Sequence, residues 1–145
     1  MRDLPRQLTV EELAELFEGR TAFVERLAGL EDPLGSARQV ARTLSDAEKK
    51  AVLDAHPAIG AKTLSARSAR EQGDDEDPAV LEELARLNQG YERKFGFRFV
   101  VFVNRRPKSA IVPILRDRIE RTREEELGTA LEELVSIAVD RWRRR

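Results

Sequence analysis

Two Ser/Thr-x-x-Glu steps, Thr9 to Glu12 and Ser45 to Glu48, each open a stretch whose apolar residues recur at helical spacing. In such a capping box the hydroxyl accepts a backbone N–H three residues on while the glutamate reaches back, satisfying two orphan donors of a helix start. The first box predicts a helix that stops near Gly19, and a second amphipathic stretch runs from Thr21 to Leu30. EDPLGS, Glu31 to Ser36, reads as a turn, with a short helix behind it through Val40. The helix opened by Ser45 carries Val52 and Leu53 and delivers the chain to His56. Gly73 to Asp77 is an acidic loop, with Asp77 as N-cap and Pro78 at the first helical position. Beyond it Val80, Leu81, Leu84, Leu87, Asn88 and Tyr91 mark one face of a long helix. Ser109 begins another, with Ile111, Ile114, Leu115 and Ile119 inward. A last helix, Glu124 to Arg143, carries Leu127, Ala130, Leu131, Leu134, Ile137, Ala138 and then Arg141 on one stripe. The chain therefore reads as all-α, a single-domain multi-helix bundle over residues 1–145.

One segment resists that pattern. Phe95 to Val103, FGFRFVVFV, is apolar, aromatic and β-branched, and by propensity it suits a buried strand. A lone strand has nothing to pair with, so the expectation is a buried helix or an extended core segment.

Charge excludes several function classes. The 26 Lys and Arg against 27 Asp and Glu leave a net charge of −1, so no global field holds nucleic acid or an anionic membrane. The basic run Arg141 to Arg145 reads as a solvated helix tail. Zero cysteines exclude disulfides, thiolate nucleophiles and Cys-type zinc sites, and suit a reducing compartment. A single histidine leaves only carboxylate-type metal sites, and no cluster with suitable spacing is present in the sequence. No apolar run approaches the roughly 20 residues of a membrane span, and MRDLPRQLTVEEL lacks a secretory apolar core. The expectation is a cytoplasmic protein with no membrane, nucleic-acid or metal partner.

The sole histidine, His56, stands in HPAIG and is the one side chain with an ordinary titration near neutral pH. Pro57 disfavours helical backbone at His56, so the preceding helix should stop there, placing the imidazole at a helix C-terminus whose dipole favours protonation. A histidine before proline is equally a plain loop residue. Ser68, Glu71 and Gln72 in SAREQG share one face if helical, either as another capping box or as groups facing a ligand at a helix N-terminus. Arg141 follows Ile137 by four and Leu134 by seven, so it lies on the apolar stripe. There a guanidinium needs an anion or a carbonyl partner, unless it snorkels to water.

The ordered series HPAIG, SAREQG, LARLNQGYERKFGFRFVVFV and LEELVSIAVDRW resembles the decarboxylases that act on 2-oxo-4-hydroxy-4-carboxy-5-ureidoimidazoline (OHCU). The matching residues are His56 and Pro57, then Ser68, Glu71 and Gln72, then Leu87 to Phe97, then Arg141. The resemblance implies an all-α fold, usually a homodimer, and cofactor-free conversion of a small-molecule ureide to (S)-allantoin with loss of CO2. It implies catalytic roles for His56, Glu71 and Arg141, and substrate contacts from Pro57, Ser68, Gln72, Phe97, Phe99 and Val100. It also argues against a strand in FGFRFVVFV. Where the family usually has FGFPF, this chain has Arg98, which changes both backbone freedom and local charge. Two other expectations compete: a non-catalytic helical interaction module using Arg141 to Arg145 as a contact strip, and an enzyme of the same fold acting on a related ureide.

Overall fold

The computed structural model describes residues 3–59 and 77–144, which form seven helices and no strand. These are α1 (Val10–Phe17), α2 (Ala22–Ala28), α3 (Pro33–Thr43), α4 (Asp46–Asp54), α5 (Pro78–Phe95), α6 (Lys108–Arg118) and α7 (Arg123–Arg143). Both capping boxes form, Thr9 with Glu12 on α1 and Ser45 with Glu48 on α4. Thr21 caps α2, and Asp77 with Pro78 opens α5. The α7 stripe from Leu127 to Arg141 is buried throughout. α7 packs against α1, α3 and α4, so it forms the centre of the bundle.

Several boundaries differ from expectation. EDPLGS is no free turn: Asp32 takes a left-handed conformation (φ 51°), caps the amide of Gly35, and starts α3 at Pro33. α3 then runs to Thr43, past Val40. α1 ends earlier than Gly19, because Glu18 itself adopts the left-handed cap (φ 63°). Ser109 lies inside α6, which starts at Lys108. Leu81 is exposed, while Leu84, Leu87, Asn88 and Tyr91 form the buried face of α5. A third capping box, Thr122 with Glu125, opens α7 at Arg123.

FGFRFVVFV takes the extended option. Gly96, left-handed at φ 81°, ends α5 after Phe95, and residues 97–103 run through the core with no strand partner among the described residues. Buried backbone polar groups must still be satisfied, and here side chains from elsewhere do it. Asp54 accepts the N–H of Arg98 (3.0 Å), Arg118 donates to the carbonyl of Val100 (2.8 Å), and Glu133 accepts the N–H of Phe102 (3.3 Å). Arg106 donates to the carbonyls of Phe102 (2.7 Å) and Val103 (2.9 Å). The segment is thus an apolar wall pinned by charged side chains.

Candidate active site

α4 ends at Asp54 as the His-Pro step requires, and the chain turns through Ala55 into His56, which is only 6 % exposed. Across from it run residues 99–103 of the pinned segment, and α7 contributes Ile137 and Arg141. Together with Pro57 and Ile59 these residues line a cavity of about 40 Å³. Among the described residues of this lining, His56 and Arg141 carry the ionisable side chains and the others are apolar.

Neither ring nitrogen of His56 has a hydrogen-bond partner among the described residues. Burial, and after it the positive charge of Arg141, lowers the imidazole pKa from 6.5 to about 3; Glu18 opposes this and Arg98 adds to it. The expected protonated imidazole is therefore corrected to a neutral one. A helix dipole contributes about 0.3–1 kcal/mol at an exposed end, whereas a displacement of this size corresponds to roughly 5 kcal/mol, so desolvation wins. The cation at the α4 C-terminus is instead Arg98. Its Nη1 donates to the carbonyls of Asp54 (3.3 Å) and His56 (2.6 Å). On the far side of the turn, Asn88 Nδ2 donates to the carbonyl of Ile59 (3.4 Å).

Arg141 does not snorkel. Its residue is 3 % exposed, with Nη1 donating to the carbonyl of Leu16 (3.0 Å) and Nη2 paired with Glu18 Oε1 (3.1 Å). Both kinds of partner anticipated for a stripe arginine, a carbonyl and an anion, are present. They come from the end of α1, where the left-handed Glu18 turns the chain. A non-glycine residue in that conformation costs of order 1–3 kcal/mol, which the ion pair with a buried guanidinium helps to offset. Burial also separates Arg141 from the tail, where Arg144 is exposed and paired with Asp140, so Arg141 is no part of a surface strip.

The wall is braced from behind by a buried network. Arg118 Nε donates to Glu126 Oε1 (2.8 Å), Tyr91 donates its hydroxyl proton to the same oxygen (2.6 Å), and the Arg118 guanidinium lies 4.5 Å from the Phe99 ring centroid. Burial first, and the bond to Glu126 second, push the Tyr91 pKa up, so this hydroxyl stays a donor.

Of the residues expected at the site, His56, Pro57, Phe99, Val100 and Arg141 converge on one cavity. Phe97 does not line it: its ring packs against Tyr91 (5.9 Å) and Phe95 (6.0 Å). Ser68, Glu71 and Gln72 lie outside the described residues. Sequence reasoning passed over Ile59, Val101, Phe102, Val103 and Ile137 in the lining, and Glu18 behind Arg141. Ile137 stood on the stripe one turn before Arg141 and carried the same signal; Glu18 carried none. Among the described residues no group of three or more His, Asp or Glu could hold a metal ion, and no helix is long and apolar enough to cross a membrane.

The profile of a family described as OHCU decarboxylase matches residues 2–143. The chain is 31 % identical over 141 residues to the 2-oxo-4-hydroxy-4-carboxy-5-ureidoimidazoline decarboxylase of Halalkalicoccus jeotgali, covering 89 % of this chain and 80 % of that one. It is also 31 % identical over 150 residues to the uric acid degradation bifunctional protein PucL of Bacillus subtilis, covering 95 % of this chain and 30 % of that longer protein. Its fold is similar to a crystal structure of OHCU decarboxylase in the presence of (S)-allantoin, with a TM-score of 0.75, 22 % identity, and coverage of 90 % and 94 % of the two chains.

Proposed function

The chain belongs to the OHCU decarboxylase family, and from that premise we propose that His56 and Arg141 carry the chemistry at the buried cavity. The reaction is decarboxylation of 2-oxo-4-hydroxy-4-carboxy-5-ureidoimidazoline in urate degradation, and the protein is a carboxy-lyase. The observation that carries the residue roles is the pairing of a neutral, buried imidazole with a guanidinium in a cavity whose other described lining residues are apolar.

When the bond from the ring carbon to the carboxylate breaks, its electron pair moves into the neighbouring carbon–nitrogen double bond and CO2 departs. The ring hydroxyl proton is lost as that carbon becomes a carbonyl, and a proton is added to the carbon bearing the ureido group, on one face, to give (S)-allantoin. The ring nitrogen takes up one further proton from solvent, which balances the charge. A neutral imidazole is in the form needed to begin this sequence as a base, taking the hydroxyl proton and returning one to carbon. Its basicity rises when an anionic substrate enters, since a nearby negative charge favours imidazolium. Arg141 offers a fork for the carboxylate or the planar ureido group. The apolar lining keeps the carboxylate dry, so charge lost as CO2 is not held back by water. Pro57, Phe99 and Val100 supply that lining, and Glu71 completes the catalytic set, with Ser68 and Gln72 adding hydrogen bonds to the substrate. No metal or cofactor is needed for the electron flow.

The test generates the substrate in situ from urate with uricase and hydroxyisourate hydrolase, and follows optical activity as (S)-allantoin forms. Wild-type protein should outpace the racemic spontaneous decay, and His56→Asn should lose at least about 10²-fold in kcat while staying folded. A near-wild-type kcat in that variant ends the acid/base role of His56. EDTA should leave the rate unchanged. We further propose a cytoplasmic homodimer of one domain over residues 1–145. A cysteine-free chain suits a reducing compartment, and the family resemblance supports the dimer, which light scattering would check.

A further inference from the structure

Among the described residues, nothing hydrogen-bonded to its ring fixes how His56 points. In most sites an imidazole is oriented through its second nitrogen, but here neither nitrogen has a partner among the described residues. Its orientation then rests on packing and on the backbone that carries it. That backbone is gripped by Arg98, whose Nη1 reaches the carbonyls of Asp54 (3.3 Å) and His56 (2.6 Å). The grip is anchored at its other end: Arg98 Nε meets Glu92 Oε1 on α5 (3.3 Å), and the Arg98 backbone N–H donates to Asp54 Oδ1 (3.0 Å). A proline at this position would have neither the fork nor the N–H.

We propose that Arg98 is a positioning residue for His56, holding the carbonyls on either side of Ala55 so that the imidazole enters the cavity at a fixed angle. The proposal rests on His56 being the proton-transfer group. A catalytic group displaced by about 1 Å can lose about 10²-fold in rate, so a backbone clamp next to the imidazole bears directly on kcat. Among the described residues, three charged groups act on the imidazole from the elements around it: Arg141 on α7, Glu18 at the end of α1, and Arg98 on the extended segment. Of these, Arg98 and Arg141 favour the neutral ring and Glu18 opposes them.

With one histidine in the chain, untagged protein labelled with ¹³C-histidine gives a single imidazole signal to titrate. Arg98→Ala should move that titration upward toward 6.5 and lower kcat by about tenfold or more, with KM changing by less than about threefold. Arg98→Lys keeps the charge but not the fork, so its titration should stay nearer to wild type while kcat recovers only in part. If Arg98→Ala does not fold, Arg98→Gln, a neutral donor, is read in its place. A variant that only lowers the melting temperature, with imidazole titration and kcat unmoved, overturns the proposal, as does full recovery of kcat by lysine. If wild-type protein has no decarboxylase activity yet the imidazole responds to Arg98→Ala, the charge coupling of Arg98 to His56 stands, while the proposed residue roles and the positioning that rests on them both fall.

Discussion

Acidifying the protein from about pH 7.5 to about pH 5 is expected to remove about 2 kcal/mol of folding stability through His56 alone. In the unfolded chain the imidazole takes up a proton below 6.5, whereas in the folded protein it stays neutral down to about 3. Between those values the unfolded state binds more protons, so stability is fully present above 6.5 and is lost as pH falls toward 3. The whole interval corresponds to roughly 5 kcal/mol, and the part reached at about pH 5 to about 2 kcal/mol. For a chain of 145 residues that amounts to a drop of roughly 6–8 °C in Tm.

The single histidine makes this measurable without interference. Ordinary carboxylates stay ionised over most of the window, and those held by capping or arginine, Glu48, Glu83, Glu125 and Asp46, have their pKa lowered further out of it. Urea unfolding of wild type and His56→Asn at several pH values across the window isolates the difference. The wild type should lose about 2 kcal/mol relative to the variant's own pH dependence, whatever the variant's stability at neutral pH. Parallel curves would refute the reasoning, because they would mean that the imidazole titrates alike in both states and is not held neutral by burial.

Other perturbations test the surrounding groups. Arg141→Lys keeps charge but cannot serve Leu16, Glu18 and substrate with a planar fork, so kcat/KM should fall by about 10- to 150-fold, or 1.5–3 kcal/mol. Arg143→Ala with Arg144→Ala should stay near wild type. Glu18→Gln removes the one named charge that raises the imidazole pKa, so the histidine NMR signal should titrate lower than in wild type, opposite in sign to Arg98→Ala. Glu126→Gln strips the buried Arg118 of its anion and should cost about 3–5 kcal/mol in urea unfolding, with part recovered by adding Arg118→Met. Because kcat/KM reports the free enzyme and kcat the complex, the acid limb of kcat/KM should lie below that of kcat.

What was legible in the sequence was local. Capping boxes, the His-Pro stop and the α7 stripe each depend on residues within a few positions of one another, and each placed its element. EDPLGS misled because Asp-Pro is both a turn signal and a helix start, and the left-handed Asp32 settles it for the helix. The Thr122–Glu125 box offered the same signal as the two that were used and went unread. FGFRFVVFV was ambiguous for a deeper reason: its backbone is held by the side chains of Asp54, Arg106, Arg118, Arg123 and Glu133, four of them on helices whose contact with it no local pattern reveals. Arg118 did leave a trace, standing seven residues after Ile111 and three after Leu115 on an inward face, just as Arg141 stands on its stripe.

The charges around the cavity also bear on which molecules it takes up and lets go. Arg141 lines the cavity among apolar residues, Glu18 pairs with it from behind, and Arg98 adds a positive charge toward His56. With a neutral imidazole, Arg141 is the charged side chain that lines the cavity among the described residues, while Arg98 is held by Glu92; a substrate carboxylate would be drawn to that guanidinium more strongly than a neutral ureide. In surroundings of low dielectric that difference is worth more than it is in water, so on the proposed residue roles the site is expected to favour the carboxylated ring over the neutral allantoin that remains after CO2 departs. The reaction would then destroy the group that binds best. Product release would then be favoured by the loss of the carboxylate from Arg141, whose charge, after burial, also lowers the His56 pKa before substrate arrives.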